Sequence, residues 1–509
     1  MSAGVIAIYA IGSAGDVVPM LALGRAVSQR CGYRVRFIST QRWRTKAIEE
    51  GLEYFDHHDE PIMCTSDGYW PNDAALFVKH RGTMEGIKCL LRAFMPALEF
   101  LYRTADQHLS GVNLAILTNA ASFLQDDCRV RGIPYILCCM QPNQATRDYP
   151  PPLLGLPYNP TNEESKKTNL AKWDSVGLQG LRIFIIMIQQ RRKHLGLRRT
   201  ILPPSITAIY DIIRTGFELK DAMGTAPYLC AVSPALLPVP TDVPKHDLCI
   251  QSGPFLLDHS QDANAFTPPP DIEDFLATGP IVYFGYGSLQ KIGPSSTKEI
   301  DHMFIWLDAI GQLEALGVSA KAVLSFSWGE ADLTGDMESP RLAQLRRRIE
   351  DMERQQRIYR LVGSFPHTYL FPKCHVAVHH GGAGTTQTAV KYRLPAVVVS
   401  HFADQPFMAS IVKHQGVGVG IDIDEFGTRT LLGALKDILV DRPEFYKQNC
   451  DRIASQMEQE DPIGSAVGMV QKLLKPTNTT AATATATAVP AAASVSAAAA
   501  PSDQTKDEN

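Results

Sequence analysis

The stretch HHGGAGTT, from His379 to Thr386, combines small residues and hydroxyl side chains in a pattern that suits anion binding. An apolar run, His375 to Val378, precedes it and predicts a short buried strand, and the two threonines open a segment typical of a helix. Glycines between a strand and a helix leave backbone N–H groups bare, and the helix N-terminus carries partial positive charge. The stretch therefore predicts a site for a phosphate or pyrophosphate group.

Two acidic residues also follow apolar runs, which would put their carboxylates at the edge of a sheet. Asp16 ends the loop GSAGD, directly after the apolar run Val5 to Ile11. Asp404, followed by Gln405, comes shortly after the apolar run Ala396 to Val399. Each acid could instead cap the helix that begins beside it, and GSAGD could be no more than a tight turn between a strand and a helix. From the residues alone, both interpretations stay open.

Two groups of side chains look like metal ligands, but their spacing argues against a metal. His379 and His380 are adjacent, and adjacent residues at the end of an extended strand point in opposite directions. Asp56 to Glu60 reads DHHDE, yet consecutive polar residues cannot all face one ion, so a solvated loop is the better interpretation. The sequence predicts no metal site.

The bulk composition is typical of a globular protein with more than one domain. At 509 residues the chain exceeds the size of a single hydrophobic core, roughly 250–300 residues. Its net charge of -4 gives no reason to expect a nucleic-acid partner. The 10 cysteines are scattered without a CxxC pair, which favours a reducing compartment. The N-terminus lacks the basic region of a signal peptide, and no apolar run approaches the length of about 18 residues that predicts a membrane span, so we expect a cytoplasmic protein.

Strand-like and helix-like segments alternate through both halves of the chain. Strand, glycine loop, helix and strand follow one another from Val5 to Ser39, which is the order of a parallel βαβ unit. We therefore predict an α/β protein with two doubly wound domains facing a cleft, at residues 1–250 and 275–460, joined by a linker at 251–274. Residues 476–509 are rich in Ala, Thr and Pro and predict a disordered tail.

The basic region 166–199 has an apolar centre and ends in LRIFIIMIQQRRKHLGLRR. Such a helix could lie on an anionic membrane surface, which would make the protein peripheral to a membrane. The alternative is a surface helix with a broad apolar face toward the core. Neither the spacing nor the composition decides between them.

The order of the motifs resembles the nucleotide-sugar glycosyltransferases. HHGGAGTT followed by FADQPFMA, from Phe402 to Ala409, resembles their donor-binding signature, above all that of sterol glucosyltransferases and related transferases of lipids and natural products. GSAGDVVPMLALGRAV, from Gly12 to Val27, is similar to their N-terminal signature. The resemblance implies the GT-B architecture, in which two Rossmann-like domains bind the acceptor and the UDP-sugar, respectively. It also implies inverting transfer without a metal, and a last helix at 461–475 that crosses back to the first domain.

The resemblance further implies roles for individual residues. Asp16 stands where this family has its general base, and Asp404 and Gln405 match the pair that binds sugar hydroxyls. Phe365 lies in the motif that holds the uracil base in relatives. The diphosphate would be held by Ser288, His380, Gly381, Gly382, Gly384, Thr385 and Thr386.

The resemblance thus predicts an enzyme that moves a hexose, most simply glucose, from a UDP-sugar to a hydroxyl of a lipophilic acceptor. Sterols, triterpenoids, hydroxy fatty acids and other natural products are the candidate acceptors, and no cofactor is expected. Two departures weaken details: Thr388 replaces the glutamate that binds ribose in plant relatives, and Ala14 replaces an arginine common in sterol enzymes. The alternatives are a nucleotide-sugar epimerase of the same architecture and an inactive member that binds glycolipids. No motif identifies the acceptor site.

Overall fold

The computed structural model describes residues 4–56, 79–197, 226–242, 247–257, 266–285, 296–325, 340–361 and 365–475. The chain up to Leu474 forms one compact unit. The predicted tail at 476–509 and the predicted diphosphate contact Ser288 lie outside the described residues.

The first half of the described chain forms a seven-stranded parallel sheet. Its strands are β1 (Val5–Tyr9), β2 (Arg34–Ser39), β3 (Glu53–Asp56), β4 (Leu114–Thr118), β5 (Tyr135–Cys139), β6 (Tyr228–Cys230) and β7 (Cys249–Gln251). They lie in the order β3-β2-β1-β4-β5-β6-β7, and each neighbouring pair is parallel. The order reverses beside β1, which is where doubly wound sheets place their ligand loops.

The second half forms a six-stranded parallel sheet. Its strands are β8 (Ile281–Gly285), β9 (Lys321–Ser325), β10 (Ile358–Leu361), β11 (Val376–His379), β12 (Ala396–Ser400) and β13 (Gly418–Asp422). The order β10-β9-β8-β11-β12-β13 reverses between β8 and β11, and each pair is again parallel. Two doubly wound parallel sheets confirm the predicted fold class.

Helices alternate with the strands in both halves. Those of the first half are α1 (Ala14–Cys31), α2 (Arg44–Glu49), α3 (Met84–Ala93), α4 (Met95–His108), α5 (Gln125–Val130) and α6 (Glu163–His194). The helices after β7 are α7 (Pro270–Leu276), α8 (Ser296–Ala315), α9 (Pro340–Arg354), α10 (His367–Leu370), α11 (Ala383–Lys391), α12 (Gln405–His414), α13 (Thr428–Lys436), α14 (Pro443–Met457) and α15 (Pro462–Leu474).

Strand β1 illustrates why the strands read as continuous apolar runs. Successive side chains of a strand point to opposite faces of the sheet. Ile6 and Ile8 join one buried cluster with residues of α1, whereas Ala7 and Tyr9 join another with residues of α4. Because helices cover both faces of the sheet, every side chain of β1 is buried and none needs to be polar.

The last helix, α15, packs into the core of the first half. Ala466 and Val470 are fully buried and belong to the same cluster as Ile8 and Leu21, and α15 lies against α1. Lys472 adds an ion pair to Asp247 at 3.0 Å. The described chain therefore ends against the sheet in which it began.

Helix α7 belongs to the second half. Its residues Ile272 and Phe275 pack in one buried cluster with Ile281 and Tyr283 of β8. The second half thus begins within the range 251–274 that the sequence predicts as the linker. Residues 258–265 of that range lie outside the described part of the chain.

Arginines at the basic end of α6 pair with acids of the protein, and membrane contact through residues 166–199 remains a prediction. Nε of the buried Arg191 donates to Oδ1 of Asp127 at 3.1 Å, and the guanidinium of Arg192 donates to Asp126 at 2.6 Å. Both acids lie on α5, so these arginines hold two helices together. No helix within the described ranges is long and apolar enough to cross a membrane.

Candidate active site

Asp16 lies in the first turn of α1, just beyond the end of β1. Its Oδ2 accepts hydrogen bonds from the Ser13 backbone N–H at 2.8 Å and from the Ser13 hydroxyl at 3.0 Å. Gly12 has a φ of +139°, and a Cβ there would collide with the Asp16 carboxylate. Burial raises the pKa of Asp16, although the bonds from Ser13 oppose the rise. The carboxylate therefore caps its helix, and it is fixed in orientation and partly desolvated.

Three glycines of the loop between β11 and α11 differ in the space that a side chain would find. Gly381 has a φ of +92°, and a Cβ there would lie 2.6 Å from Cγ1 of Val398. A Cβ on Gly382 would lie 2.5 Å from Nε2 of His380, whereas a Cβ on Gly384 would meet nothing within 4 Å. Gly381 is thus required by its conformation and packing, a side chain on Gly382 would have to displace the His380 ring, and the space beside Gly384 at the start of the helix is open.

His379 and His380 are both buried and both neutral. Nδ1 of His379 accepts the Gly381 N–H at 3.0 Å, and the two imidazole rings are nearly perpendicular, at 82°. Burial lowers the pKa of each imidazole to about 3. Nδ1 of His380 is buried without a hydrogen-bond partner. His380 can therefore offer a ligand one hydrogen bond but no positive charge.

The threonines of this loop differ in the direction of their side chains. Thr386 is fully buried, and its hydroxyl donates to the Gly382 carbonyl at 2.9 Å. Thr388, at the position where plant relatives bind ribose, donates to the Gly384 carbonyl at 2.7 Å. Thr385 is only partly buried. Of the two threonines predicted to bind diphosphate, Thr385 alone keeps an accessible side chain.

Asp404 and Gln405 begin α12, and Gln405 shapes the loop before it. Gln405 is buried, and its Oε1 accepts the His401 N–H at 2.8 Å and the Phe402 N–H at 3.3 Å. Ala403 has a φ of +55°, a left-handed conformation that non-glycine residues rarely adopt. The backbone is therefore strained directly before Asp404, and such strain is concentrated at functional sites.

Asp16 and Asp404 come together although they belong to different halves. Burial raises the pKa of Asp404 to about 7, and the negative charge of Asp16 contributes to the rise. Helix α1, which carries Asp16, also lies against α11, whose N-terminus follows the glycine loop. The structure therefore joins three predicted features in one place: Asp16, the glycine loop and Asp404.

Phe365 lies farther along the same sheet edge, after β10. Its ring packs edge-on against Phe266, with the ring centroids 5.0 Å apart. The side chain is partly buried, and it is the first residue after an undescribed segment, 362–364. Phe266 also packs against Tyr369, with the ring centroids 5.2 Å apart, so Phe365 belongs to an aromatic cluster.

Comparison with known proteins extends these observations over nearly the whole chain. Residues 344–473 match the family described as erythromycin biosynthesis protein CIII-like, C-terminal domain. A sterol 3-beta-glucosyltransferase of Debaryomyces hansenii is 26% identical over 470 residues, which is 90% of this chain and 26% of that protein. One from Arabidopsis thaliana is 26% identical over 471 residues, which is 91% of this chain and 64% of that protein. The chain thus spans less than two thirds of the length of either relative.

Two solved structures show which fold the chain has. The glycotransferase of kitacinnamycin superposes with a TM-score of 0.60 at 16% identity, covering 93% of this chain and 100% of its own. The calicheamicin glycosyltransferase gives a TM-score of 0.57 at 13% identity, covering 94% and 100%. The chain has the GT-B fold. The predicted resemblance to sterol glucosyltransferases and the predicted GT-B architecture are both confirmed.

In this GT-B protein, Gln387 links the two halves and was not singled out from the sequence. Its Oε1 accepts the Ser233 N–H at 2.7 Å, and its Nε2 donates to the Ala231 carbonyl at 3.0 Å. The contact partners are 154 and 156 residues away. A glutamine inside a helix carries no local signal for such a contact, so only the tertiary structure reveals it.

His401 and Arg81 are two further residues that sequence reasoning missed. Burial lowers the pKa of His401 to about 3, and electrostatic interactions with His380, His302 and Arg81 act in the same direction. Arg81 comes from the first half and pairs with Asp422 at 3.0 Å and with Asp424. His401 could have been identified from the sequence, because it is a polar residue at the carboxyl end of β12 and such strand ends carry ligand loops.

The site brings together what a displacement at a phosphorylated carbon requires. It offers a fixed carboxylate, the free backbone N–H groups of a helix N-terminus, and a second carboxylate that interacts electrostatically with the first. Within the described residues, no group of three or more His, Cys, Asp or Glu side chains is placed to hold a metal ion.

Proposed function

We propose that this protein transfers a hexose, in the first instance glucose, from a UDP-sugar to a hydroxyl of a lipophilic acceptor, with inversion and without a metal. The observation that carries the proposal is the approach of Asp16 to Asp404 beside the glycine loop. The names of the relatives, sterol 3-beta-glucosyltransferases, make a sterol the first acceptor to test.

Asp16 acts as the general base in this proposal. It accepts the proton of the acceptor hydroxyl as that oxygen attacks the anomeric carbon of the sugar. A carboxylate is a weak base for an alcohol, so a raised pKa improves the match between base and proton. Because both hydrogen bonds from Ser13 converge on Oδ2, the carboxylate has a fixed orientation before the acceptor arrives.

The leaving diphosphate is stabilised by the N-terminus of α11. The first backbone N–H groups of a helix have no partner within the helix, the space beside Gly384 is open, and the helix dipole favours negative charge there. The orphaned nitrogen of the neutral His380 adds one hydrogen bond to a diphosphate or sugar oxygen. Thr385 adds a hydroxyl, while Thr386 supports the loop from within through its bond to the Gly382 carbonyl.

Asp404 and Gln405 hold the sugar in this proposal. The Asp404 carboxylate accepts hydrogen bonds from sugar hydroxyls, and binding such donors compensates for its burial near Asp16. Oε1 of Gln405 is already engaged by the loop, so its amide nitrogen is the group left for the sugar. Phe365, with Phe266, packs against the uracil.

A screen for UDP release tests the proposed function. Purified protein is incubated with UDP-glucose and related UDP-sugars, each against sterols, triterpenoids, hydroxy fatty acids and aromatic alcohols, with and without EDTA. We expect UDP release only when an acceptor is present, no effect of EDTA, and a β-glucoside by NMR from the α-linked donor. Release that EDTA abolishes would refute the metal-free mechanism, and an α-glucoside would refute inversion.

The same screen separates the alternatives. An epimerase consumes a UDP-sugar without an acceptor, so acceptor-independent turnover would replace the proposed activity with that one. An inactive glycolipid-binding protein would release no UDP with any pair, yet would bind the glucosides. The presence of Asp16 and Asp404 at one place argues against the inactive member.

A further inference from the structure

Gln387 is buried on α11 and uses both ends of its carboxamide. Only 1% of the residue is exposed. The Oε1 atom accepts from the Ser233 N–H at 2.7 Å, and Nε2 donates to the Ala231 carbonyl at 3.0 Å. An amide that accepts at one end and donates at the other pairs with the backbone as a neighbouring strand would. This two-point contact fixes both the distance and the rotation of the helix that carries it.

The contact joins the donor loop to the half that carries the base. Gln387 lies three residues after Gly384, less than one helical turn from the backbone that faces the diphosphate. Ala231 and Ser233 follow β6 of the first sheet, in the half that contains Asp16. The Ser233 hydroxyl donates to Glu460 at 2.6 Å, so the segment that receives Gln387 is itself held in place.

We propose that Gln387 is a positioning residue, which sets the diphosphate loop at the correct distance and angle from Asp16. This inference rests on the proposed function. The residue touches neither donor nor acceptor; it acts through α11. A mutation far from the reacting atoms that misplaces them by about 1 Å can lower the rate by about 10²-fold. We therefore expect the loss of Gln387 to lower kcat by roughly 10- to 100-fold. The KM for UDP-glucose should change less, because the loop itself stays intact.

The variant Gln387→Glu gives a test that a purely structural role would not satisfy. A protonated glutamic acid can accept from Ser233 and donate to Ala231 as glutamine does, but a carboxylate faces the Ala231 carbonyl with two acceptors. Burial raises the pKa of such a carboxyl. We therefore expect the ratio of the variant's kcat to the wild-type kcat to be near one at about pH 6 and to fall at least tenfold by about pH 9.

Gln387→Met is the matched control, because it fills a similar volume and cannot titrate. It should lower kcat at every pH, with no recovery at low pH. A Glu variant that equals the wild type throughout, or that loses activity equally at every pH, would overturn the positioning role.

Amide hydrogen exchange over residues 228–236 separates this inference from the proposed function. Faster exchange of the Ser233 segment in Gln387→Met is expected. If the wild type transfers no sugar while this exchange still accelerates, the proposed function fails and the contact between the halves stands. Unchanged exchange would overturn the inference whatever the activity.

Discussion

Asp16 and Asp404 lie in different halves of the chain, yet the charge of Asp16 helps to raise the pKa of Asp404 to about 7. Asp16 follows β1 of the first sheet, and Asp404 follows β12 of the second. Two carboxylates that interact in this way repel each other when both are ionised. Ligand hydroxyls between them, or a proton on one of them, would relieve that repulsion.

This relationship predicts a pH-dependent effect of Asp404→Asn on stability. The pKa of Asp404 is raised from its ordinary value of 3.8, so its protonated form stabilises the folded state below that value, and the contribution is lost as pH rises through about 7. Asn cannot ionise and avoids the loss. We expect the variant to have a higher Tm than the wild type at about pH 8, with the difference shrinking toward about pH 5.

The control for this prediction is Asp16→Asn, which removes the neighbouring charge. It should lower the pKa of Asp404, so that the loss of stability with rising pH is smaller than in the wild type and is complete at a lower pH. Thermal scans of the three proteins across the pH range are sufficient. Parallel Tm curves for the wild type and Asp404→Asn would contradict the raised pKa.

The two glycine positions of the donor loop predict opposite effects for the same substitution. Gly381→Ala would force a residue at φ +92° to hold a Cβ 2.6 Å from Val398, and should destabilise the fold by more than about 1 kcal/mol. Gly384→Ala has free space around its Cβ and a better helix propensity, so Tm should stay the same or rise. UDP affinity should nevertheless fall in Gly384→Ala, since in the proposed function the diphosphate approaches the backbone at this helix N-terminus. Calorimetric titration with UDP and thermal scans test both; unimpaired UDP binding by Gly384→Ala would count against the site.

The two threonines of the loop form a second matched pair. Thr386→Val removes the hydrogen bond to the Gly382 carbonyl and should cost about 1 kcal/mol of unfolding free energy. Thr385→Val should leave stability unchanged and weaken UDP binding several-fold, because its side chain is partly exposed beside the loop. Denaturant titration and UDP calorimetry distinguish the two effects. If Thr386→Val weakened UDP binding more than Thr385→Val at equal stability, the assignment would be reversed.

The ion pair of Arg191 with Asp127 predicts a structural role for the basic end of α6. Arg191→Met would leave the fully buried Asp127 carboxylate with the more distant Arg131, at 3.6 Å, and because the loss of a buried partner costs up to about 3–5 kcal/mol, we expect a clear destabilisation. Lys193→Met, on the exposed side of the same helix, should change stability by less than about 0.5 kcal/mol. Urea unfolding measures both. Vesicle flotation should show no binding that depends on Arg191, and binding lost only in that variant with the fold intact would support the membrane interpretation.

Much of the fold could be predicted because its signals are local. The apolar run of β1 and the loop GSAGD reflect a strand covered on both faces and a glycine at φ +139°, and both constraints act within a few residues. The same holds for the glycine at position 381. Local rules of this kind located Asp16 and the donor loop.

The rest depended on contacts that no local pattern encodes. Gln387 reaches Ser233 across 154 residues, and the pairing of Arg191 with Asp127 spans 64. An apolar stretch with arginines reads alike whether lipids or buried carboxylates receive the charge, and only the structure shows that Arg191 and Arg192 pair with acids of α5. The choice between Thr385 and Thr386 depends on helix phase, which a repeat of two threonines does not reveal.

The most direct test of the central claim is the transfer rate of Asp16→Asn. Asparagine can still accept the Ser13 N–H, so the helix cap and the fold should survive. With UDP-glucose and an acceptor found in the screen, we expect kcat to fall by about 10²–10⁴-fold, while UDP affinity by calorimetry stays within about threefold of the wild type. A variant that transfers glucose at the wild-type rate would contradict Asp16 as the base.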